Sequence, residues 1–307
     1  MNKNSKIWVA GANGMVGKNL INILKKNKRR VIGSSRSQCD LFKRNRINLF
    51  LKKNRPSIAV LCAAKVGGIY ANNKYPVNFL LENLKIQINF IEACQKNKVE
   101  KIIFLGSSCI YPRNSKQPIK EEYLLSDYLE KTNEWYGIAK IAGLKLIEAY
   151  RKQYNCNHIS LMPTNVYGKY DNFDDYNSHV IPGLINKISK AKLNKQNIVE
   201  LWGTGKPLRE FIYAEDLARA IIFAIDKYND DKPINIGTGQ EISIKSLAFK
   251  IKKIVGYDGK IIFNRKYPDG TPRKRLNINK LKKIGWKPSI SLDKGLKETI
   301  NWYNSLK

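Results

Sequence analysis

Five short apolar runs punctuate the first half of the chain: Ile7–Ala10, Val31–Gly33, Ile58–Cys62, Ile102–Leu105 and Ile159–Met162. Each is nearly continuously apolar, the pattern of a strand buried on both faces. Longer amphipathic stretches at about 15–27, 42–54, 77–97 and 132–154 separate them and predict helices. The alternation predicts repeated β-α-β units, hence an α/β fold built on a doubly wound parallel sheet with helices on both faces. After about Gly168 the pattern loosens. It predicts helices near 179–192, 215–228, 243–255 and 292–304, with strands near 198–201 and at Ile234–Ile236. The expected division is therefore 1–168 for the sheet unit and 169–307 for a smaller mixed C-terminal lobe, with a segment of about 211–237 returning to the sheet.

Composition narrows the function classes. The longest apolar stretches, such as Ile58–Ala64, fall far short of the roughly 20 residues a membrane helix needs. The apolar run near Met1 is too short for a signal peptide, so a cytoplasmic protein without a membrane partner is expected. Cys39, Cys62, Cys94, Cys109 and Cys156 are widely spaced with no C-x-x-C pair, and only His158 and His179 accompany them. Neither a disulfide framework nor a metal site is expected. The 56 Lys and Arg against 25 Asp and Glu give a net charge of +31, which invites a polyanionic partner. The basic residues are nonetheless spread along the chain, with small clusters at Lys25–Arg30, Lys43–Arg46, Lys52–Arg55 and Arg273–Arg275. They read as solvated surface charge, and no nucleic-acid partner is expected.

Chemistry enters with the motifs. Gly11-Ala-Asn13-Gly14-Met15-Val16-Gly17 follows the first strand and opens a helix. Such glycines allow a tight turn and let backbone N–H groups approach a pyrophosphate at the helix N-terminus, which makes this a dinucleotide site on a Rossmann-type sheet. The second strand ends Gly33-Ser-Ser-Arg36, without the carboxylate that binds the ribose 2′-hydroxyl of NAD. Arg36 is placed to meet a 2′-phosphate, so NADP(H) is the expected cofactor. Tyr136 and Lys140 stand at i and i+4 of a predicted helix, where phenol and ammonium share a face. An adjacent ammonium lowers a phenol pKa towards neutrality, which is the expectation for Tyr136. Ser107 follows the fourth strand, at the carboxyl end of the sheet where ligands bind.

These motifs resemble the extended short-chain dehydrogenase/reductases that act on nucleotide sugars. More specific segments resemble the GDP-L-fucose synthases, the GDP-4-keto-6-deoxy-D-mannose 3,5-epimerase/4-reductases. They are Ala63-Ala-Lys-Val-Gly-Gly-Ile69 with Ala71-Asn-Asn73, Leu105-Gly106-Ser-Ser-Cys-Ile-Tyr-Pro112, Tyr136-Gly-Ile-Ala-Lys-Ile-Ala-Gly143, Met162-Pro-Thr-Asn165, Tyr167-Gly168, Asn177-Ser-His-Val-Ile-Pro182 and Pro268-Asp-Gly-Thr-Pro-Arg-Lys274. The resemblance implies conversion of GDP-4-keto-6-deoxy-D-mannose to GDP-L-fucose, by epimerisation at C3 and C5 and NADPH-dependent reduction at C4. It implies that Cys109 and His179 form the acid/base pair, Tyr136 donates a proton, Lys140 holds the nicotinamide ribose and Ser107 bonds the C4 oxygen. Leu105, Gly106, Pro163, Thr164, Asn165, Val166 and His179 would join Ser107, Lys140 and the glycine loop in holding the cofactor. Lys187, Trp202, Arg209 and Asp269 would bind the GDP-sugar.

One departure is visible: Asn13 stands where some relatives carry Arg, which leaves the 2′-phosphate to Arg36. His158 lacks motif context and reads as structural, and Trp135, Trp286 and Trp302 read as core or packing residues. A homodimer is expected by analogy. The competing reading is a 4-epimerase or simple reductase that keeps Tyr136 and Lys140 without exchange at C3 and C5, and the pair Cys109 and His179 argues against it.

Overall fold

A computed structural model describes residues 4–175 and 177–306. The chain begins β1 (Ile7–Ala10), α1 (Met15–Lys26), β2 (Val31–Ser34), α2 (Arg44–Asn54) and β3 (Ile58–Leu61). It continues with α3 (Ile69–Lys74), α4 (Pro76–Lys96), β4 (Lys101–Leu105), α5 (Glu134–Tyr154) and β5 (Ile159–Pro163). Next come β6 (Asn165–Tyr167), α6 (Val180–Leu193), β7 (Ile198–Trp202), β8 (Leu208–Arg209), β9 (Phe211–Tyr213) and α7 (Ala214–Lys227). The remainder is β10 (Ile234–Ile236), β11 (Ile242–Ser243), α8 (Ile244–Val255), β12 (Lys260–Asn264), β13 (Arg273–Lys274), α9 (Asn279–Lys283) and α10 (Leu292–Asn304).

Six strands form one parallel sheet in the order β10-β5-β4-β3-β1-β2. Successive side chains of a strand point to opposite faces, so one sequence run feeds two cores. Ile7, Val9, Ile58, Val60 and Ile103 pack with Leu20 and Leu24 of α1 and Ile221 of α7. Trp8, Ala59, Leu61, Ile102 and Phe104 face the other way, onto Ile47 of α2, Phe90 of α4 and Leu144 of α5. The buried Trp8 indole is satisfied by donating to Ser34 Oγ at 3.0 Å. The chain runs outward from β1 to β2 and then resumes at β3 on the other side of β1. That reversal opens a crevice at the carboxyl ends of β1 and β3, where ligands bind in open α/β sheets.

A third core sits in the C-terminal region. Ile185 and Ile188 of α6, Leu247 and Ile251 of α8, and Leu296 and Ile300 of α10 pack with Val199 and Leu201 of β7. β7 pairs with β12, β8 lies between β11 and β13, and β6 pairs with β9. The sheet and this region are tied by buried polar groups. The Glu210 carboxylate accepts from the N–H groups of Thr238, Gly239 and Leu276 at 2.6–2.7 Å. Lys101 Nζ donates to the carbonyls of Ala224, Ile225 and Tyr228, at 2.6–3.3 Å, and so closes the C-terminus of α7. His158 is fully buried: its Nδ1 accepts from Ile102 N and its Nε2 meets Gln95 Oε1, both at 3.2 Å. Burial, with help from Arg151, lowers its pKa to about 4 and keeps the ring neutral.

Two expectations change. The helix expected from 132 starts at Glu134, because Lys131–Asn133 forms a separate tight turn. Trp135 is not a core residue: it is 38% exposed on α5, near Ile138 at 42%. Trp286 is buried, and Trp302 packs edge-on against Tyr170 at 4.6 Å.

Candidate active site

One cavity of about 1030 Å³ runs from the glycine loop to the C-terminal region. Its wall includes Gly11, Gly14, Met15 and Val16 from the β1–α1 turn, and Arg36 after β2. Leu105, Gly106, Ser107, Cys109, Tyr136 and Lys140 line its middle, with Pro163, Thr164, Asn165 and Val166 after β5. His179, Lys187, Trp202, Arg209 and Asp269 line the remainder. Asn13 is exposed and lies outside this wall, and Gly17 is buried behind it.

Gly14 caps α1 without a side-chain hydrogen bond, and the first turn holds no acidic residue. Backbone N–H groups at such a helix start are open to an anion. A Cβ at Gly17 would overlap the Gly11 carbonyl oxygen, so this turn of α1 can meet β1 only through glycine. Arg36 has a side chain 76% exposed, lies over the Phe42 ring at 5.0 Å and reaches Asp40 Oδ1 at 3.9 Å. Asp40, in the turn after Arg36, lines the same cavity, and its Oδ1 accepts from Phe42 N at 3.1 Å.

The first turns of α5 carry Tyr136 and Lys140 into the middle of the cavity. Gly137 lets the helix approach the loop after β4, since a Cβ there would stand 2.9 Å from the Cys109 carbonyl oxygen. Lys140 is buried, donates to Leu105 O at 2.8 Å and lies 5.8 Å from the centre of the Tyr136 ring. Burial lowers its pKa to about 8. The Tyr136 phenol moves opposite to the sequence expectation: burial and then the nearby Cys109 raise its pKa, and the hydrogen bond with Ser107 opposes them. The reason is geometric. The ammonium is spent on the Leu105 carbonyl, so desolvation governs the phenol.

Ser107 Oγ accepts from Cys109 N at 3.2 Å. Cys109 Sγ in turn accepts from Asn133 Nδ2 at 3.4 Å and from Lys274 Nζ at 3.5 Å. Sequence reasoning missed Asn133 and Lys274 as site residues. The only signal was the place of Lys274 at the end of the Pro268–Lys274 segment. His179 immediately precedes α6, and desolvation holds its imidazole pKa below the usual 6.5.

Towards the far end, Lys187 Nζ stands 4.9 Å from the Trp202 ring centre. Trp202 stacks on Tyr267 at 4.5 Å and 12°, with Tyr70 at 6.5 Å. Arg209 donates to the carbonyls of Leu208 and Asp269 at 3.0 and 3.3 Å. The Asp269 carboxylate is engaged by Thr204, through its N–H and its hydroxyl, both at 2.7 Å. Asp269 therefore shapes the turn that carries Thr204 as well as lining the cavity.

Residues 7–237 match the NAD dependent epimerase/dehydratase family, and the chain belongs to that family. Within it, the chain is 48% identical to a GDP-L-fucose synthase of Sinorhizobium fredii (strain NBRC 101917 / NGR234), over 98% of this chain and 96% of the relative. Two solved structures share the whole architecture. A GDP-6-OMe-4-keto-L-xylo-heptose reductase from C. jejuni has a TM-score of 0.94 and 35% identity, over 100% of this chain and 99% of its own. A GDP-L-fucose synthetase from Naegleria fowleri bound to NADP has a TM-score of 0.91 and 28% identity, over 99% and 95% of the two chains.

Proposed function

We propose that the protein converts GDP-4-keto-6-deoxy-D-mannose to GDP-L-fucose, by epimerisation at C3 and C5 followed by NADPH-dependent reduction at C4. The observation that carries this reading is that Cys109, Ser107, Tyr136, Lys140 and His179 all line one cavity. A reductase needs only the phenol, the ammonium and the serine. Cys109 and His179 add a second proton-transfer system, which a C4 reductase or 4-epimerase does not require.

The residues fit a dinucleotide phosphate. The uncapped start of α1 and the close packing at Gly17 leave N–H groups facing the cavity for a pyrophosphate. Arg36 supplies the cation for a 2′-phosphate, and Asp40 tempers it from 3.9 Å. Lys140 would hold the nicotinamide ribose and Pro163 to Val166 would line the nicotinamide pocket, and all of them line the cavity. When bound, NADPH supplies hydride to C4.

The protein's own groups do the rest. The ketone at C4 makes the C3 and C5 protons acidic, because the carbanion delocalises into an enolate. Cys109 removes a proton from one face of the sugar, and His179 delivers one to the other. Desolvation lowers the imidazole pKa, so an imidazolium formed there is a stronger acid than a free one. Ser107 and Tyr136 donate hydrogen bonds to the C4 oxygen, on which negative charge gathers both in the enolate and in the alkoxide of reduction. The raised phenol pKa keeps Tyr136 protonated until the alkoxide claims the proton. Lys187, Arg209 and the Trp202 face hold the GDP moiety.

We also assign the sheet with its returning strand β10 to cofactor binding, and residues 169–307 chiefly to the GDP-sugar. Val77, Leu81 and Ile88 on α4, and Trp135 and Ile138 on the neighbouring α5, are exposed apolar side chains, which supports a homodimer. No described helix is long and apolar enough to cross a membrane. All five cysteines are free thiols, in keeping with action in the cytoplasm.

The deciding experiment is incubation with GDP-4-keto-6-deoxy-D-mannose in D₂O, with and without NADPH. Deuterium at C3 and C5 without NADPH, and GDP-L-fucose with it, are the expected results. Reduction without deuterium uptake would make the protein a simple C4 reductase.

A further inference from the structure

We propose that Lys274, assisted by Asn133, holds the Cys109 sulfur as a thiolate aimed into the cavity, and so acts as the positioning residue for proton removal from the sugar. The proposal rests on the assignment of Cys109 to epimerisation made above.

Two N–H donors converge on one sulfur, Lys274 Nζ at 3.5 Å and Asn133 Nδ2 at 3.4 Å. A neutral thiol is a weak acceptor, whereas a thiolate is a strong one, so two donors on one sulfur favour the anion. Lys274 itself is 7% exposed. A buried ammonium needs a counter-charge, and among the described ion pairs no carboxylate serves Lys274. The sulfur is the side-chain partner the ammonium meets.

The fold makes this contact deliberate in its placement. β13 runs parallel to β8 with Lys274 opposite Arg209, which sets two cations side by side on the cavity wall. From the other side, Gly137 brings α5 against the Cys109 carbonyl, and Asn133 lies directly before that helix. The other cavity-facing thiols lack such a cradle. Burial pushes the Cys62 thiol up to about 12 even with Lys140 nearby, and the Cys39 thiol up to about 11.

The step balances simply. The Cys109 thiolate takes the proton from the sugar carbon and an S–H bond forms. The C–H electron pair moves towards C4, and the carbonyl π pair becomes the enolate oxygen charge. Lys274 keeps its proton throughout, losing its anionic neighbour as the sulfur is neutralised.

The test is the rate of Cys109 alkylation by iodoacetamide, read on the Cys109 peptide by mass spectrometry, alongside deuterium exchange into the keto sugar. Lys274→Met is expected to slow alkylation at pH 7 about tenfold and exchange in parallel. Lys274→Arg, which keeps the charge, is expected to stay within about threefold of the parent. An unchanged alkylation rate in folded Lys274→Met overturns the proposal. Should that variant fail to fold, the parent decides. An ordinary thiol alkylates about seventyfold faster at pH 9 than at pH 6.5, and a rise that large at Cys109 overturns the cradle, whereas one below about tenfold upholds it. Slowed alkylation with unchanged exchange would uphold the cradle but overturn the epimerisation role of Cys109.

Discussion

Replacing Lys140 by methionine separates stability from activity. The ammonium is 4% exposed and its pKa has moved from the usual 10.5 to about 8 through burial. Each tenfold shift is worth about 1.4 kcal/mol, so keeping this charge inside costs the folded protein about 3 kcal/mol. Methionine fills similar volume without charge but forfeits the charged-donor bond to Leu105 O, worth about 1.5–3 kcal/mol. Lys140→Met is therefore expected to be more stable by about 1 kcal/mol at pH 7, a rise of about 2 °C in Tm for a chain of this length. Between pH 8 and 10.5 the unfolded parent binds more protons than the folded parent, so the parent gains stability with rising pH. The advantage of the variant is thus full below pH 8 and fades as pH climbs to 10.5. Calorimetry in cofactor-free buffer at pH 7 and pH 10, with NADPH oxidation as the activity readout, tests both halves. Activity should be lost if Lys140 holds the nicotinamide ribose as proposed. A Tm several degrees lower at pH 7 would show that the ammonium–carbonyl contact outweighs desolvation, and the reasoning would fail.

Other perturbations follow from the same geometry. Tyr136→Phe keeps the ring and its packing but removes the proton donor, so reduction should fall by about 10²–10⁴ while deuterium uptake at C3 and C5 continues; undiminished NADPH oxidation would exclude Tyr136. Arg36→Ala should narrow the preference for NADPH over NADH by roughly ten- to a hundredfold, as expected for loss of a charge-assisted phosphate contact, and equal use of both by the parent would refute the role of Arg36. Leu81→Lys places a charge in the exposed face of α4 and should shift the protein towards monomer in analytical ultracentrifugation; an unaffected dimer would move the interface elsewhere.

Much of the fold is written in the sequence because buried parallel strands are nearly continuous apolar runs. Ile7–Ala10, Ile58–Leu61 and Ile159–Pro163 could be read for that reason. β8, β11 and β13 could not, since two residues have no period to detect. The site divides along the same line. Tyr136 and Lys140 are local neighbours on one helix, so their pairing is visible in spacing. Lys274 reaches Cys109 across 165 positions, through the pairing of β13 with β8, which no local pattern encodes. The phenol shift went the other way for a related reason. Spacing places an ammonium near a ring, but tertiary packing decides which oxygen the ammonium serves.

The electrostatics also couple the two reactions. Negative charge on Cys109 raises the Tyr136 pKa, so the phenol is a weaker acid while the sulfur is anionic. On the proposed mechanism, once the sulfur has taken a proton from the sugar that repulsion is gone and Tyr136 gives up its own proton more readily. If those roles hold, the arrangement favours epimerisation before reduction without any moving part. Cys109→Ser removes the thiolate and should leave the phenol at least as strong an acid. With the epimerised 4-keto sugar supplied directly, the variant is therefore expected to oxidise NADPH at the parental rate or faster. From GDP-4-keto-6-deoxy-D-mannose, the same variant should form GDP-L-fucose far more slowly. If both substrates slow together, Cys109 positions the sugar for reduction as well, and the proposed relief of Tyr136 is not what orders the two steps.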